Sequence, residues 1–163
     1  MREFSVLILP LLLLAISCKP SARFRSNQDA LAYKSNLKES SHLNDYVSQW
    51  LNSPYKYSGM SKSGVDCSGF STRVMQDVYG IKLPRTAEMQ YENGQKLSDG
   101  KRKAGDLVFF RNVRGRGRGI DHVGVFLGDN KFAHASASAG VVISDLDEDY
   151  YQERYVGACR YFK

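Results

Sequence analysis

Residues 64–80 read GVDCSGFSTRVMQDVYG, and this stretch decides the prediction of the fold. Phe70 and the apolar residues four and eight positions after it would form one stripe on a helix that begins near Cys67. Asp66 stands where the N-cap of that helix belongs, and Gly80 stands where its C-terminal stop belongs. The stretch therefore predicts a helix that carries Cys67 in its first turn.

The segments on either side of this helix predict the rest of the domain. SSHLNDYVSQWLNSP (40–54) has the apolar period of a helix, with Ser40 or Ser41 as its N-cap and Trp50 as a core anchor. A second short helix is predicted over 85–92. The period then changes to two in AGDLVFF, DHVGVFLG, KFAHAS, GVVIS and YVGACRYF, which is typical of strands. Helices followed by strands predict an α+β domain with an antiparallel sheet.

The N-terminus, MREFSVLILPLLLLAISCKPS, is typical of an export signal. Its apolar run over 4–16 is too short to span a bilayer comfortably. The ending AISC resembles a bacterial lipobox, in which Cys18 becomes the lipidated first residue; a plain signal peptide cleaved nearby is the alternative. We expect a signal over 1–18, a flexible tether over 19–35 and one domain over 36–163.

The charge of the chain favours an anionic partner. Its 23 Lys and Arg residues against 17 Asp and Glu residues give a net charge of +6, which suits cell wall or anionic lipid. Nucleic acid is not expected, because the most basic stretch, RNVRGRGRG (111–119), has no aromatic residue for base stacking. We interpret that stretch as a solvated hairpin loop, with a rim that attracts an anionic polymer as the alternative.

The position of Cys67 favours a reactive thiol. The thiolate is the nucleophilic form of cysteine, and the first turn of a helix stabilises it through unpaired N–H groups and the positive dipole end. The neighbouring Asp66 opposes this effect unless its carboxylate is occupied in capping. A thiolate also needs a base, and the chain has only three histidines.

Two of them, His122 and His134, lie on consecutive predicted strands. A three-residue loop at 128–130 would place both imidazoles on one face of the hairpin, at a diagonal of roughly 7–8 Å between Cα atoms. A strict two-residue loop would place them on opposite faces. With Cys67 they form a candidate set of nucleophile, base and base-orienting group.

The residues alone leave three alternatives open for this set. Cys67 could be a buried thiol near two structural histidines. Cys67, His122 and His134 could instead bind zinc, although structural zinc ligands usually come in close pairs along the chain. Cys67 could also form a disulfide with Cys159, because exported proteins can oxidise.

The chain resembles the NlpC-type cell-wall peptidases, a papain-like family of bacterial cysteine peptidases. The resemblance covers about residues 43–163 and rests on PYKYSGMSKSGVDCSGF, LPRTAEMQ, AGDLVFF, DHVGVFLG and FAHASASAGVVIS, in that order. It implies a papain-like α+β fold in which the nucleophile helix packs against an antiparallel sheet. The implied roles are nucleophile for Cys67, base for His122, third triad member for His134, oxyanion contact for Tyr55, and substrate contact for Asp66 and Ser68. Tyr57 is expected to cover the core.

The resemblance is particularly to single-domain murein endopeptidase lipoproteins, and it implies hydrolysis of amide bonds in peptidoglycan stem peptides. We expect neither a metal nor an organic cofactor. We expect the protein to be a monomer. The expected location is the outer membrane, facing the periplasm, with the anchor at Cys18. An acyltransferase or amidase on the same scaffold and a non-catalytic wall-binding lipoprotein are the alternatives.

Overall fold

The computed structural model describes residues 40–98, 100–113, 115, 117 and 119–162. Its elements in chain order are α1 (40–48), β1 (Met60–Ser61), β2 (Gly64–Val65), α2 (Cys67–Tyr79), α3 (Ala87–Asn93), β3 (Gln95–Leu97), β4 (Leu107–Arg111), β5 (Ile120–Gly128), β6 (Lys131–Ser136), β7 (Gly140–Asp145), α4 (Asp149–Gln152) and β8 (Tyr155–Arg160). Three helices precede a six-stranded antiparallel sheet, so the predicted α+β class is confirmed.

The main sheet has the strand order β3–β8–β4–β5–β6–β7. The five segments predicted as strands correspond to β4 through β8. The prediction missed β3, the small β1–β2 hairpin and α4, because segments of two to four residues are too short to show a period.

Helix α2 follows the predicted pattern closely. The Asp66 side chain caps it by accepting a hydrogen bond from the Gly69 N–H, and Gly80 ends it at φ 69°. Phe70 and Val74 are fully buried. A Cβ atom at position 69 would lie 2.3 Å from the carbonyl oxygen of Gly59, so only glycine fits where α2 meets that loop.

The two faces of the main sheet pack against different partners. On one face α2 packs on β5 and β6, in a core that includes Val123, Ala133 and Cys67. On the other face α4 contributes Tyr151 to a second apolar cluster. The His122 and His134 rings lie on this second face, against phenylalanines of β4 and β6.

The β5–β6 hairpin has the predicted register but not the predicted loop. Its turn has two residues, Asp129 and Asn130, at φ 46° and 57°, and Gly128 pairs with Lys131. Leu127 forms a bulge, so beyond it Phe126 pairs with Phe132 and Val125 with Ala133. Because the bulge adds one residue to β5, His122 and His134 still point to the same face of the hairpin, as the three-residue loop was expected to ensure.

Of the other predictions about single residues, one is confirmed and two are wrong. Trp50 is 3% exposed and packs edge-on against Phe70, so its core role is confirmed. Tyr57 is 63% exposed, so the prediction that it covers the core is wrong. Ser40 is already helical, so neither it nor Ser41 is the N-cap of α1, which was also predicted wrongly.

Several predicted features lie outside the described residues: the signal with Cys18, the tether, and Arg114, Arg116 and Arg118 of the basic stretch. Described residues on either side show that this stretch joins β4 to β5. Among the helices of the described part of the chain, none is long and apolar enough to cross a bilayer.

Candidate active site

Cys67 is the first residue of α2 and is 2% exposed. Its Sγ lies 3.9 Å from the backbone carbonyl oxygen of Asp121, the residue before His122. The sulfur therefore sits at the positive end of a 13-residue helix and against the start of β5. Cys67 and Cys159 do not form a disulfide; Cys159 is buried beside the Tyr91 carbonyl oxygen.

The Asp66 carboxylate, beside the nucleophile candidate, is fully engaged. It accepts hydrogen bonds from the Gly69 N–H at 2.7 Å and the Ser58 N–H at 2.9 Å. Arg85 donates to both of its oxygens, at 3.1 and 2.8 Å, and to the Ser68 hydroxyl at 2.9 Å. The charge that would oppose a thiolate at position 67 is thus offset by a guanidinium.

Arg85 is a site residue that sequence reasoning missed. Its pKa is raised, first by the hydrogen bonds to Asp66 and also by the charges of Asp66 and Cys67. It lies in LPRTAEMQ, which the resemblance includes, but its partner is 19 residues away and no local pattern links the two.

We expect Arg85→Gln to slow alkylation of Cys67 by iodoacetamide at pH 7 about tenfold, because Asp66 would then destabilise the thiolate. The measurement is the rate of carbamidomethylation at Cys67, followed by peptide mass spectrometry. Arg73→Gln is the matched control, since Arg73 lies on α2 and pairs with Asp77, four residues further along the same helix, and not with Asp66. Adding Asp66→Asn to Arg85→Gln should recover most of the rate; an unchanged rate in Arg85→Gln alone would show that the pair does not act on the sulfur.

The two histidines meet as the spacing predicted. His122 Nε2 and His134 Nδ1 are 2.8 Å apart, and the rings are nearly perpendicular, with centroids 4.9 Å apart. Both side chains are buried. Burial lowers the pKa of His134 to about 4, so at neutral pH this ring is uncharged.

Two further groups contact His134 and were not predicted. The Ser144 hydroxyl and the Tyr151 hydroxyl each lie 3.2 Å from its Nε2. Ser144 is on β7, opposite Phe132 of β6, so it shares a face with His134. The alternation in GVVIS alone does not show that Ser144 faces His134, because that also depends on the register between β6 and β7.

A cavity of about 210 Å³ adjoins the histidine pair. Its lining consists of Tyr55, Val113, His122, His134, Ala135, Ser136, Ala137, Ser138, Tyr150 and Tyr151. Tyr55 reaches it because its segment pairs with Val65, two residues before Cys67. The structure thus brings Tyr55 and both imidazoles to one cavity, whereas Cys67, Asp66 and Ser68 lie at the start of α2 and outside the lining.

The zinc alternative finds no support in the geometry. Within the described ranges, no three or more His, Cys, Asp or Glu side chains are grouped so that they could hold a metal ion. The facing nitrogens of His122 and His134 are hydrogen-bonded to each other. Metal ligands would instead point together at a common centre.

The chain is similar to known proteins both in sequence and in structure. A sequence model of the NlpC/P60 family matches residues 52–160. "Murein DD-endopeptidase MepS/Murein LD-carboxypeptidase" of Escherichia coli K12 is 40% identical over 125 residues, covering 77% of this chain and 64% of that protein. "Probable endopeptidase NlpC" of the same strain is 42% identical over 118 residues, covering 72% and 75%.

Among solved structures, an NlpC/P60 family protein from Bacillus cereus superposes with a TM-score of 0.68 at 34% identity. The match covers 76% of this chain and 40% of that one. The chain therefore spans slightly less than two thirds of the length of the MepS relative and a smaller share of the Bacillus structure.

Proposed function

The chain belongs to the NlpC/P60 family, and from that premise we propose that it is a cysteine peptidase that hydrolyses amide bonds in the peptide stems of peptidoglycan. The observation that supports this most directly is the 2.8 Å contact between His122 and His134. Cys67, at the start of α2, has its Sγ 3.9 Å from the carbonyl oxygen of Asp121, the residue before His122. The names of the MepS and NlpC relatives support the reaction and the substrate.

In the first chemical step, His122 accepts the proton of the Cys67 thiol. Because Nε2 of His122 faces His134, the nitrogen that exchanges this proton is Nδ1. The product is a thiolate and an imidazolium, and the N-terminus of α2 stabilises the thiolate. His134, uncharged, orients the His122 ring through Nδ1.

The thiolate then attacks the carbonyl carbon of the scissile amide. The resulting oxyanion would be held by the Cys67 N–H and the Tyr55 hydroxyl. The C–N bond breaks, His122 returns its proton to the leaving amine, and a thioester to Cys67 remains. Water, deprotonated by His122, attacks the thioester, and the carboxylic acid and the thiol are released.

The surroundings of the site suit stem peptides. The cavity lining carries hydroxyls and small side chains, and none of its described residues is Asp, Glu, Lys or Arg. The net charge of +6 favours approach of a polymer that carries free carboxylates.

The test is digestion of purified, cross-linked muropeptides by the full-length protein, followed by liquid chromatography and mass spectrometry. We expect shortened or uncrosslinked stems, with one water added for each bond cut, divided between the new carboxyl end and the new amine end. The masses also show which amide bond is cut. Transfer of the stem to an added amine, without hydrolysis, would identify an acyltransferase instead, and an intact substrate with intact protein would overturn the proposal.

We also propose that the chain is exported and lipid-anchored through Cys18, in the outer membrane and facing the periplasm; the AISC pattern at 15–18 supports this. In a bacterial host, a palmitate analogue should label the full-length protein and should not label Cys18→Ser. Cys159→Ser should be labelled like the parent. A parent protein that stays unlabelled and soluble would contradict the anchor.

A further inference from the structure

The Nε2 atom of His134 contacts two hydroxyls that have no part in the mechanism proposed above. Nε2 lies 3.2 Å from the Ser144 Oγ and 3.2 Å from the Tyr151 hydroxyl oxygen, and these two oxygens are 3.4 Å apart. The two hydroxyls come from different elements, β7 and α4. His134 itself is 1% exposed and Tyr151 is 9% exposed.

Aromatic packing fixes the His134 ring in this position. Phe132 stacks on it with centroids 4.9 Å apart and planes at 27°. Tyr151 meets the rings of both Phe132 and His134 edge to face. This packing fixes the plane of the ring, and the hydrogen bonds place Nδ1 toward His122 and Nε2 toward the two hydroxyls.

The location of a single proton then decides whether the pair works. An uncharged imidazole carries one N–H, on either Nδ1 or Nε2. With the proton on Nδ1, His134 donates to Nε2 of His122, which puts the His122 proton on Nδ1, where it blocks acceptance of the thiol proton. With the proton on Nε2, Nδ1 of His134 accepts from His122, and Nδ1 of His122 can take the thiol proton.

We propose that Ser144 and Tyr151 are positioning residues that hold the His134 proton on Nε2 and thereby keep His122 in its proton-accepting tautomer. This inference rests on the function proposed above. A hydroxyl can either accept from an Nε2–H or donate to a bare Nε2. Because Ser144 Oγ donates its own proton to the Tyr151 oxygen, the Ser144 oxygen is left to accept from the Nε2–H, which would otherwise be buried without a partner. Burial also raises the pKa of the Tyr151 phenol, so it stays protonated and uncharged.

The need for these acceptors is greatest when the ion pair forms. Once His122 is an imidazolium, both of its nitrogens carry protons and its Nε2–H requires an acceptor. Only the Nε2–H tautomer of His134 provides one, because the other tautomer would set two N–H groups against each other across 2.8 Å. Ser144 and Tyr151 therefore stabilise the state in which the thiolate exists.

The experiment compares Ser144→Ala, Tyr151→Phe and the double variant in the full-length protein. Each single change leaves one hydroxyl, so we expect a loss of only a few-fold in kcat. The double change should lower kcat roughly 10- to 100-fold with little change in KM, because the wrong tautomer becomes competitive. Tyr155→Phe is the matched control, since that hydroxyl lies in the same aromatic cluster but contacts Arg102.

Two readouts separate proton placement from a structural role. Nitrogen NMR of histidine-labelled protein should show His134 protonated on Nε2 in the parent and shifted toward Nδ1 in the double variant. In a His134→Asn background no imidazole tautomer remains to be set, so removing both hydroxyls should have little further effect on kcat. An unchanged tautomer in the double variant, or an equal loss of kcat in the Asn background, would overturn the inference.

Failure of the proposed function would be visible separately. The tautomer and the rate of Cys67 alkylation by iodoacetamide need no peptide substrate. If the parent cuts no muropeptide but the double variant still switches tautomer and slows alkylation, the hydroxyl pair acts as proposed and only the substrate is wrong.

Discussion

Cys67→Ser should abolish hydrolysis of muropeptides, with a loss of at least about 10⁴-fold in kcat/KM. The change replaces a sulfur that ionises easily by a hydroxyl that does not, in a site whose helix N-terminus and His122–His134 pair are suited to forming a thiolate. Binding of wall fragments should persist, because the hydroxyl is smaller than the thiol and leaves the surroundings in place. Product release is measured by chromatography, and binding by co-sedimentation with insoluble peptidoglycan.

Cys159→Ser is the matched control for this change. Cys159 is buried on β8, its thiol points to the Tyr91 carbonyl oxygen, and burial raises its pKa. A hydroxyl can make the same hydrogen bond, so activity should be kept. Persistent hydrolysis by Cys67→Ser, or its loss in a folded Cys159→Ser protein, would contradict the assignment of the nucleophile.

His122→Ala should lower kcat/KM by about 10³- to 10⁴-fold, whereas His134→Asn should lower it only about 10- to 100-fold. The first change removes the group that we propose carries the proton from the thiol to the leaving amine. In the second, the asparagine oxygen stands near the position of Nδ1 and can still accept from His122, as the 2.8 Å contact requires. Only the orientation of the His122 ring becomes looser.

Rates of muropeptide cleavage and of Cys67 alkylation, both at pH 7, measure this difference. Circular dichroism of both variants controls for misfolding, which matters because both rings are buried. Equal losses in the two variants would mean that the roles of proton carrier and orienting group have been assigned wrongly.

The parts of the site that the sequence predicted are those encoded locally. The cap at Asp66 and the stop at Gly80 depend on residues within one turn of α2, and both are as expected. The face shared by His122 and His134 followed from strand alternation. The loop between them was predicted wrongly, because a bulge such as that at Leu127 adds one residue without any sequence signal.

The parts that escaped prediction depend on contacts between distant segments. The Arg85–Asp66 pair forms only when the chain after α2 folds back over its start. The contacts of Ser144 and Tyr151 with His134 require the β6–β7 register and the docking of α4 on the sheet. A sequence pattern along the chain does not show that these residues are close in space.

The division of the site between the two faces of the sheet has a further consequence. Cys67 belongs to the helical layer and packs in one core, while the imidazoles belong to the opposite layer. A partly folded chain whose sheet has formed but whose helix has not docked would retain the imidazole pair without a sulfur beside it. Catalytic competence would thus require that α2 has docked on the sheet, and turnover could serve as a reporter of that docking.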